Sequence, residues 1–132
     1  MTRFVIDAGI ALRIAEEAIK PSPSHSLLAP TLLRSQVLDM LFGRVQSGEL
    51  AEKAGLDLNA RFGKLKMRYL GDAVLRRRAW ALAAQTGMAS TFDAEYLALT
   101  QLQADALITE NSDLASKAMG LVQLKPLSAL SE

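Results

Sequence analysis

Short apolar segments alternate with longer segments of helical periodicity along the whole chain, and this alternation constrains the fold more than any other feature. The apolar segments lie at 3–7, 25–29, 64–70, 106–109 and 121–124. The segments in which apolar residues recur at helical spacing lie at 8–19, 31–45, 49–60, 72–87, 92–103 and 114–118. Strands that alternate with helices form right-handed βαβ units, so the sequence predicts an α/β fold with a mostly parallel sheet covered on both faces.

Length and composition point to one globular domain over residues 1–132, because the chain is half hydrophobic and long enough for a single core. The formal net charge of +1 argues against a broad basic surface. The chain has no cysteine and a single histidine, His25, which excludes disulfides, cysteine zinc sites and multi-histidine metal sites. We expect His25 in an exposed loop or at a strand start. No signal-peptide pattern and no apolar run of about 20 residues occurs, so we expect a soluble cytoplasmic protein with no membrane partner.

Acidic side chains occur where predicted strands end and predicted helices begin. Asp7 closes the first strand, Asp93 opens the helix at 92–103, and Asp113 follows the strand at 106–109. In an open α/β sheet these positions meet at the carboxyl edge, where ligands bind. The helix at 31–45 adds Gln36 and Asp39, which share a face. Oxygen donors gathered there suit Mg²⁺ or Mn²⁺, ions that activate water and stabilise charge on a phosphodiester.

Each of these residues also has a purely structural interpretation. Asp7 and Asn111 are ordinary N-cap residues, and Asp113 is an acid in a first helical turn. Ser90 and Asp93 fit the S-x-x-D capping box. The polar residues of the helix at 31–45 fit a solvated helix face.

The order of these segments resembles the PIN-domain family, most closely the VapC-type toxins of bacterial toxin–antitoxin pairs. The resemblance runs from about residue 3 to about residue 124. It rests on Val-Ile-Asp at 5–7, Ala-Pro-x-Leu-Leu-Arg-Ser-Gln-Val-Leu-Asp at 29–39, Phe-Asp-Ala-x-Tyr-Leu-Ala-Leu at 92–99 and Ala-Leu-Ile-Thr at 106–109. The segment at 92–99 is the most specific of these, because it matches the family's aromatic-Asp-Ala-x-Tyr-x-Ala-Leu.

The resemblance implies a three-layer α/β/α sandwich around a mostly parallel sheet of four to five strands. It implies RNA cleavage that depends on Mg²⁺ or Mn²⁺ held at a cluster of acids. It also implies a homodimer and a small antitoxin protein as partner. The helices in the first half of the chain carry more apolar residues than one buried face can accommodate. The excess favours an interaction surface that includes Leu32, Leu33, Leu41, Phe42 and Leu50.

Carried over residue by residue, two of the four family acids are present. Asp7 matches the first acid and Asp93 the third. The second position, a glutamate in Glu-x-x-Asn, reads Gln36-x-x-Asp39. The fourth position, the aspartate of Thr-x-Asp, reads Thr109-x-Asn111, and Asp113 follows two residues later. Amides keep an oxygen but lose the charge, so a metal should be held weakly unless Asp39 and Asp113 compensate.

These departures leave two functional hypotheses of different classes. The first is a metal-dependent endoribonuclease, the toxin of a type II toxin–antitoxin system, with Asp7 and Asp93 as the catalytic metal ligands. The second is a degenerate PIN domain that cleaves little or nothing and acts as a binding or assembly module. The two amides also fit the deliberate silencing of a toxin for expression.

Two weaker features concern basic and aromatic residues. The basic run 76–78, together with Lys64, Lys66 and Arg68, could contact RNA phosphates, although such runs are usually solvated helix faces. Trp80 and Tyr96 are expected in the core or at an interface.

Overall fold

The computed structural model describes all 132 residues and contains five strands and six α-helices, with one or two helices between successive strands. The strands are β1 (Thr2–Ile6), β2 (His25–Pro30), β3 (Arg68–Leu70), β4 (Ala106–Ile108) and β5 (Leu124–Lys125). The helices are α1 (Ala8–Glu17), α2 (Leu33–Gln46), α3 (Glu52–Gly63), α4 (Ala73–Thr86), α5 (Phe92–Gln103) and α6 (Ser112–Ala118). A short 3-10 helix, Leu127–Ser131, follows β5. None of the helices combines the length and the apolar character that a bilayer span requires.

All strands of the sheet are parallel, in the order β3-β2-β1-β4-β5. β1 lies at the centre, where Val5 is paired with Leu28 of β2 and Leu107 of β4. The chain moves from β1 through β2 to β3 and then crosses back to β4 and β5. Right-handed crossovers therefore place α1–α3 on one face and α4–α6 on the other. This arrangement confirms the predicted α/β sandwich. The sheet, predicted to be mostly parallel with four to five strands, has five strands and is parallel throughout.

Helix α5 occupies the middle of the core and fixes one wall of the site described below. It packs against β1, β2 and β4 on one side and against α4 on the other. The five consecutive residues 96–100 are therefore all buried, so the middle of this helix contacts other elements on every face, whereas its two ends carry the exposed side chains. The first turn of α5, with Asp93, is consequently held at the carboxyl edge of the sheet.

Several helix ends differ from the sequence prediction. α1 ends at Glu17 because Ala18 takes a left-handed conformation with φ of 52°. α2 begins at Leu33 with Leu32 as its N-cap, so Thr31 does not cap it as expected. α3 is shifted to Glu52–Gly63. Gly55 lies inside it because a Cβ there would sit 2.9 Å from Val45 Cγ2, so the glycine permits close approach to α2.

Two strands are also shorter or shifted. Of the segment 64–70, only Arg68–Leu70 pairs with β2, because the backbone N–H groups of Lys64 and Leu65 donate instead to the last turn of α3. Of the segment 121–124, only Leu124 belongs to β5. The N–H groups of Leu121 and Val122 both donate to the carbonyl of Ala118, which keeps them in a turn.

His25 begins β2, the strand-start position expected of it, although its ring is not exposed. The ring packs edge-on against Phe4, with 5.0 Å between the ring centroids, and both its nitrogens are buried without a hydrogen-bond partner. His25 lies far from the acids and takes no part in their cleft.

Candidate functional site

An open cleft of about 520 Å³ lies at the carboxyl edge of the sheet. Its walls come from the end of β1, the starts of α1 and α5, one face of α2 and the loop after β4. The polar and charged residues that line it are Asp7, Arg13, Gln36, Asp39, Asp93, Tyr96, Glu110 and Asn111. The structure thus brings all four family positions, and Asp39, to one cleft.

Asp7 is buried at the base of the cleft, with 8% of its surface exposed. It caps α1, since its Oδ1 accepts a hydrogen bond of 3.0 Å from the backbone N–H of Ile10. Its Oδ2 accepts a short hydrogen bond from the hydroxyl of Thr109. Burial raises the pKa of Asp7; the bonds from Thr109 and Ile10 oppose that rise, and the nearby charge of Asp93 adds to it. Asp7 therefore both caps α1 and lines the cleft.

Asp93, in the first turn of α5, forms an ion pair across to α6. Its Oδ2 lies 2.9 Å from Lys117 Nζ, and the same ammonium lies 2.9 Å from Asp113 Oδ2. Hydrogen bonds to Asp113 and Asp93 raise the pKa of Lys117, so the ammonium stays charged. The capping-box interpretation does not hold in detail: Ser90 Oγ accepts from the N–H of Phe92, while the Asp93 carboxylate is bonded to Lys117.

Gln36 reaches the cleft from α2 and is oriented by Tyr96 of α5. The Tyr96 hydroxyl donates to Gln36 Oε1 at 2.5 Å. Burial raises the pKa of Tyr96 far above its usual range. The negative charges of nearby acids, of which Asp7 contributes most, raise it further. The phenol therefore remains a hydrogen-bond donor, and the Gln36 amide oxygen is already engaged.

Asn111 caps α6, as its structural interpretation requires. Its Oδ1 accepts from the backbone N–H groups of Asp113 at 2.9 Å and Leu114 at 3.1 Å. Its own N–H donates to Thr109 Oγ1 at 3.1 Å. Thr109 thus connects the Asn111 loop to Asp7.

Asp39 and Asp113, the acids near the two amide positions, differ in whether they line the cleft. Asp39 lines the cleft, one helical turn from Gln36, and forms no hydrogen bond or ion pair with the protein. Asp113 does not line the cleft: its side chain is 72% exposed and is bonded to Lys117. Asp39 is therefore the acid better placed to add charge to the cleft.

Three charged residues of the site were not singled out from the sequence. Arg13 and Glu110 form an ion pair at the cleft wall, with Arg13 Nη1 2.6 Å from Glu110 Oε1, and Arg13 Nε also lies 2.6 Å from Glu17 Oε2. Lys117 is the third. The one sequence signal for it is the i, i+4 spacing from Asp113, which ordinarily indicates only a helix-surface pair.

The oxygen donors of the cleft are of the kind that binds a divalent ion, but few of them are charged, so such an ion would be held weakly. No group of three or more histidine, aspartate or glutamate side chains comes together in the chain as a metal site. Mg²⁺ is commonly held by one or two carboxylates and several waters, which Asp7 and Asp93 can supply. Gln36 and Asn111 offer only amide oxygens that already accept hydrogen bonds. The carboxylate of Asp93 is already paired with the ammonium of Lys117.

The basic run on α4 lies beside an exposed aromatic side chain. Arg76, Arg77, Trp80 and Glu95 line a second open depression, and Trp80 is 73% exposed. Both aromatic residues were expected in the core or at an interface. Tyr96 is buried in the core, whereas the exposure of Trp80 leaves only the interface alternative for it. Trp80 is exposed on α4 beside the start of α5, where it shares this depression with Glu95.

Comparison with solved structures finds similar folds over nearly the whole chain. PAE2754 from Pyrobaculum aerophilum matches with a TM-score of 0.75 at 18% identity, over 98% of this chain and 92% of that one. A chain of VapBC-1 from nontypeable Haemophilus influenzae matches with a TM-score of 0.62 at 14% identity, over 96% and 98%. A chain of VapBC2 from Rickettsia felis, in a complex with a DNA fragment from the promoter of that pair, matches with a TM-score of 0.61 at 8% identity, over 94% and 98%.

No family model and no curated protein sequence matches the chain. At identities under 20%, the structural similarity describes the fold and not the activity. The chain therefore has a PIN-like α/β fold, which it shares with a chain of each of the two VapBC structures. This is the fold of the family whose motif the segment at 92–99 resembles.

Proposed function

We propose that this protein is the toxin-type component of a toxin–antitoxin pair, and that its acidic cleft is a weak, metal-dependent ribonuclease site. The observation that carries the proposal is the meeting of Asp7 and Asp93 in one cleft at the carboxyl edge of a PIN-like sheet. The fold shared with two VapBC structures supports the assignment to this class of pair. An RNA-directed toxin of this kind would act in the cytoplasm, where its substrate is.

The residues of the chain would bind and orient the reacting groups. Asp7 and Asp93 would hold a Mg²⁺ or Mn²⁺ ion, which supplies an activated water and charge stabilisation at the phosphodiester. Thr109 and the N–H of Ile10 fix the Asp7 carboxylate in one orientation. Tyr96 fixes Gln36 at the cleft wall, and Asp39 adds a negative charge nearby. Preorganised groups of this kind lower the cost of positioning a substrate.

The test compares RNA cleavage by the parent protein and by Asp7→Asn. Asparagine caps a helix as well as aspartate does, so the variant should keep the fold while losing the carboxylate. We expect slow cleavage that requires Mg²⁺ or Mn²⁺, stops on chelation and falls about 10–100-fold in Asp7→Asn. Cleavage that persists in chelator, or that Asp7→Asn leaves unchanged in parallel preparations, would overturn the proposal.

The second candidate is a binding module that cleaves nothing. It is favoured by one specific arrangement: Lys117 is bonded to Asp93, and amides stand at two of the four family positions. Calorimetric titration with Mn²⁺ separates the two candidates. An absence of heat at millimolar metal supports the module, and saturable binding supports the nuclease.

Partner binding is proposed on the evidence of an exposed apolar groove between α2 and α3. Leu38, Phe42 and Leu56 line it and are 53%, 60% and 61% exposed. Of the residues that the sequence suggested for interaction, Leu33 and Leu41 are buried in the core, although Leu41 also lines the groove. Leu32 and Leu50 are partly buried against the core, and Phe42 lies exposed in the groove. Exposed apolar side chains that lie together in this way suit a second copy of the chain or a small antitoxin. Sedimentation at high micromolar concentration tests the homodimer.

A further inference from the structure

Lys117 places a permanent positive charge at the acid that the proposed metal site needs. Its ammonium lies 2.9 Å from both Asp93 Oδ2 and Asp113 Oδ2, at direct ion-pair distance. The lysine side chain is 33% exposed and the Asp93 side chain 32% exposed, so water only partly screens their contact. The pair connects the first turn of α5 to the last turn of α6.

The charges of the cleft explain why an ammonium suffices there. Gln36 and Asn111 are neutral, so Asp7 and Asp93 are the acids left at the family positions. Two neighbouring carboxylates repel each other unless a cation lies between or beside them. Lys117 offsets one of the two charges without any bound ion.

From this geometry we infer that Lys117 is a built-in competitor of the divalent ion, and that the metal-loaded cleft forms only when Lys117 leaves Asp93. An ammonium and a metal ion cannot both contact Asp93 Oδ2 closely, because two cations a few ångströms apart repel strongly in a partly buried site. The inference rests on the proposed function, since it concerns the control of that same site.

Asp113 gives the displaced lysine a place to go. It lies four residues before Lys117 on α6, it is exposed, and it already shares the ammonium. Lys117 can therefore release Asp93 and keep one ion-pair partner, with no change in its helix. Whatever draws Lys117 outward would favour metal binding, and whatever holds it on Asp93 would keep the site unloaded.

The test measures Mn²⁺ binding to metal-stripped protein by calorimetry. Lys117→Met keeps the length of the side chain and removes its charge, and we expect it to bind Mn²⁺ about 10–100-fold more tightly than the parent. Lys53→Met is the matched control, because Lys53 is exposed on α3, forms no ion pair and changes the net charge equally. Lys117→Arg keeps the charge and should bind no more tightly than the parent.

Equal affinity in Lys117→Met and Lys53→Met would overturn the inference, and so would the absence of Mn²⁺ binding by Lys117→Met. A second measurement needs no variant at the site. In the parent protein, the NMR signal of the Lys117 ammonium should shift as Mg²⁺ is added, and a signal that stays unchanged at saturating Mg²⁺ contradicts the competition. Metal binding that tightens in Lys117→Met without any RNA cleavage would support the competition and reject the ribonuclease.

Discussion

The hydroxyl of Tyr96 donates a hydrogen bond of 2.5 Å to Gln36 Oε1 and so joins the buried helix α5 to α2. Position 36 is the one at which the PIN-domain family, which the sequence resembles, has an acid. A glutamate at position 36 could accept the same hydrogen bond, because both side chains have the same length and an oxygen at the same place. The present hydrogen-bond network therefore accommodates the charge that the chain lacks.

The double variant Gln36→Glu with Asn111→Asp tests what the two amides cost. Each carboxylate adds charge attraction to a cation that an amide supplies only as a dipole, so we expect metal affinity and RNA cleavage to rise about 10–100-fold for each site. The measurement is cleavage rate against Mg²⁺ or Mn²⁺ concentration. Gln103→Glu, an exposed change on α5, is the matched control. A doubly reverted protein that cleaves no faster at saturating metal would contradict the charge-loss explanation.

Asp7→Asn should stabilise the fold at neutral pH while it lowers activity. Burial raises the pKa of Asp7 above its value in the unfolded chain, which is about 3.9. The stability due to its protonated form is complete below the unfolded pKa and is lost as pH rises through the folded pKa. Asparagine keeps the cap without the buried charge, so the variant should be more stable than the parent at pH 7, and this gain should shrink toward pH 4.

Urea unfolding at the two pH values measures this effect. Asp57→Asn is the control, because Asp57 is exposed on α3 and forms no ion pair. A variant Asp7→Asn that is less stable than the parent at pH 7 would mean that the bonds from Thr109 and Ile10 outweigh the cost of burying the charge.

Ala18→Gly should stabilise the protein by about 0.5–1 kcal/mol. Ala18 ends α1 with φ of 52°, a conformation that costs an L-residue with a Cβ about 1–2 kcal/mol and costs glycine little. The greater flexibility of glycine in the unfolded chain removes part of that gain. Thermal or urea unfolding gives the value. The control Ala60→Gly, at an exposed right-handed position in α3, should instead destabilise by about 0.5–1 kcal/mol.

Phe42→Ser should weaken self-association without unfolding the chain. Phe42 is 60% exposed in the groove between α2 and α3, so little core packing is lost, whereas an interface there would lose an aromatic anchor. We expect the dimer dissociation constant, measured by sedimentation, to rise at least about tenfold. Trp80→Ser removes a different large exposed aromatic side chain, on α4. A dimer lost in Trp80→Ser and kept in Phe42→Ser would move the interface to α4.

The sequence alone determined the layout of the fold and the edge at which the site lies. The segments around β1 and α5 show clear periodicity, and α5 has the predicted bounds, 92–103. Asp7 and Asp93 stand at a strand end and a helix start, so the parallel arrangement was enough to bring them to one edge. The length of β3 was not predictable in the same way, because Lys64 and Leu65 alternate like strand residues yet are held in a turn by α3.

Only the tertiary structure decided how the charges of the cleft are paired. That Lys117 contacts Asp93, and that Asp39 reaches the cleft while Asp113 points to solvent, depends on how α6 and α2 pack against α5 and on the rotation of each helix about its axis. Local spacing contains no information on contacts between residues 24 positions apart. Hydrophobic patterns select which face of a helix is buried, whereas an ion pair between two partly exposed faces depends on distances of a few ångströms that folding alone sets.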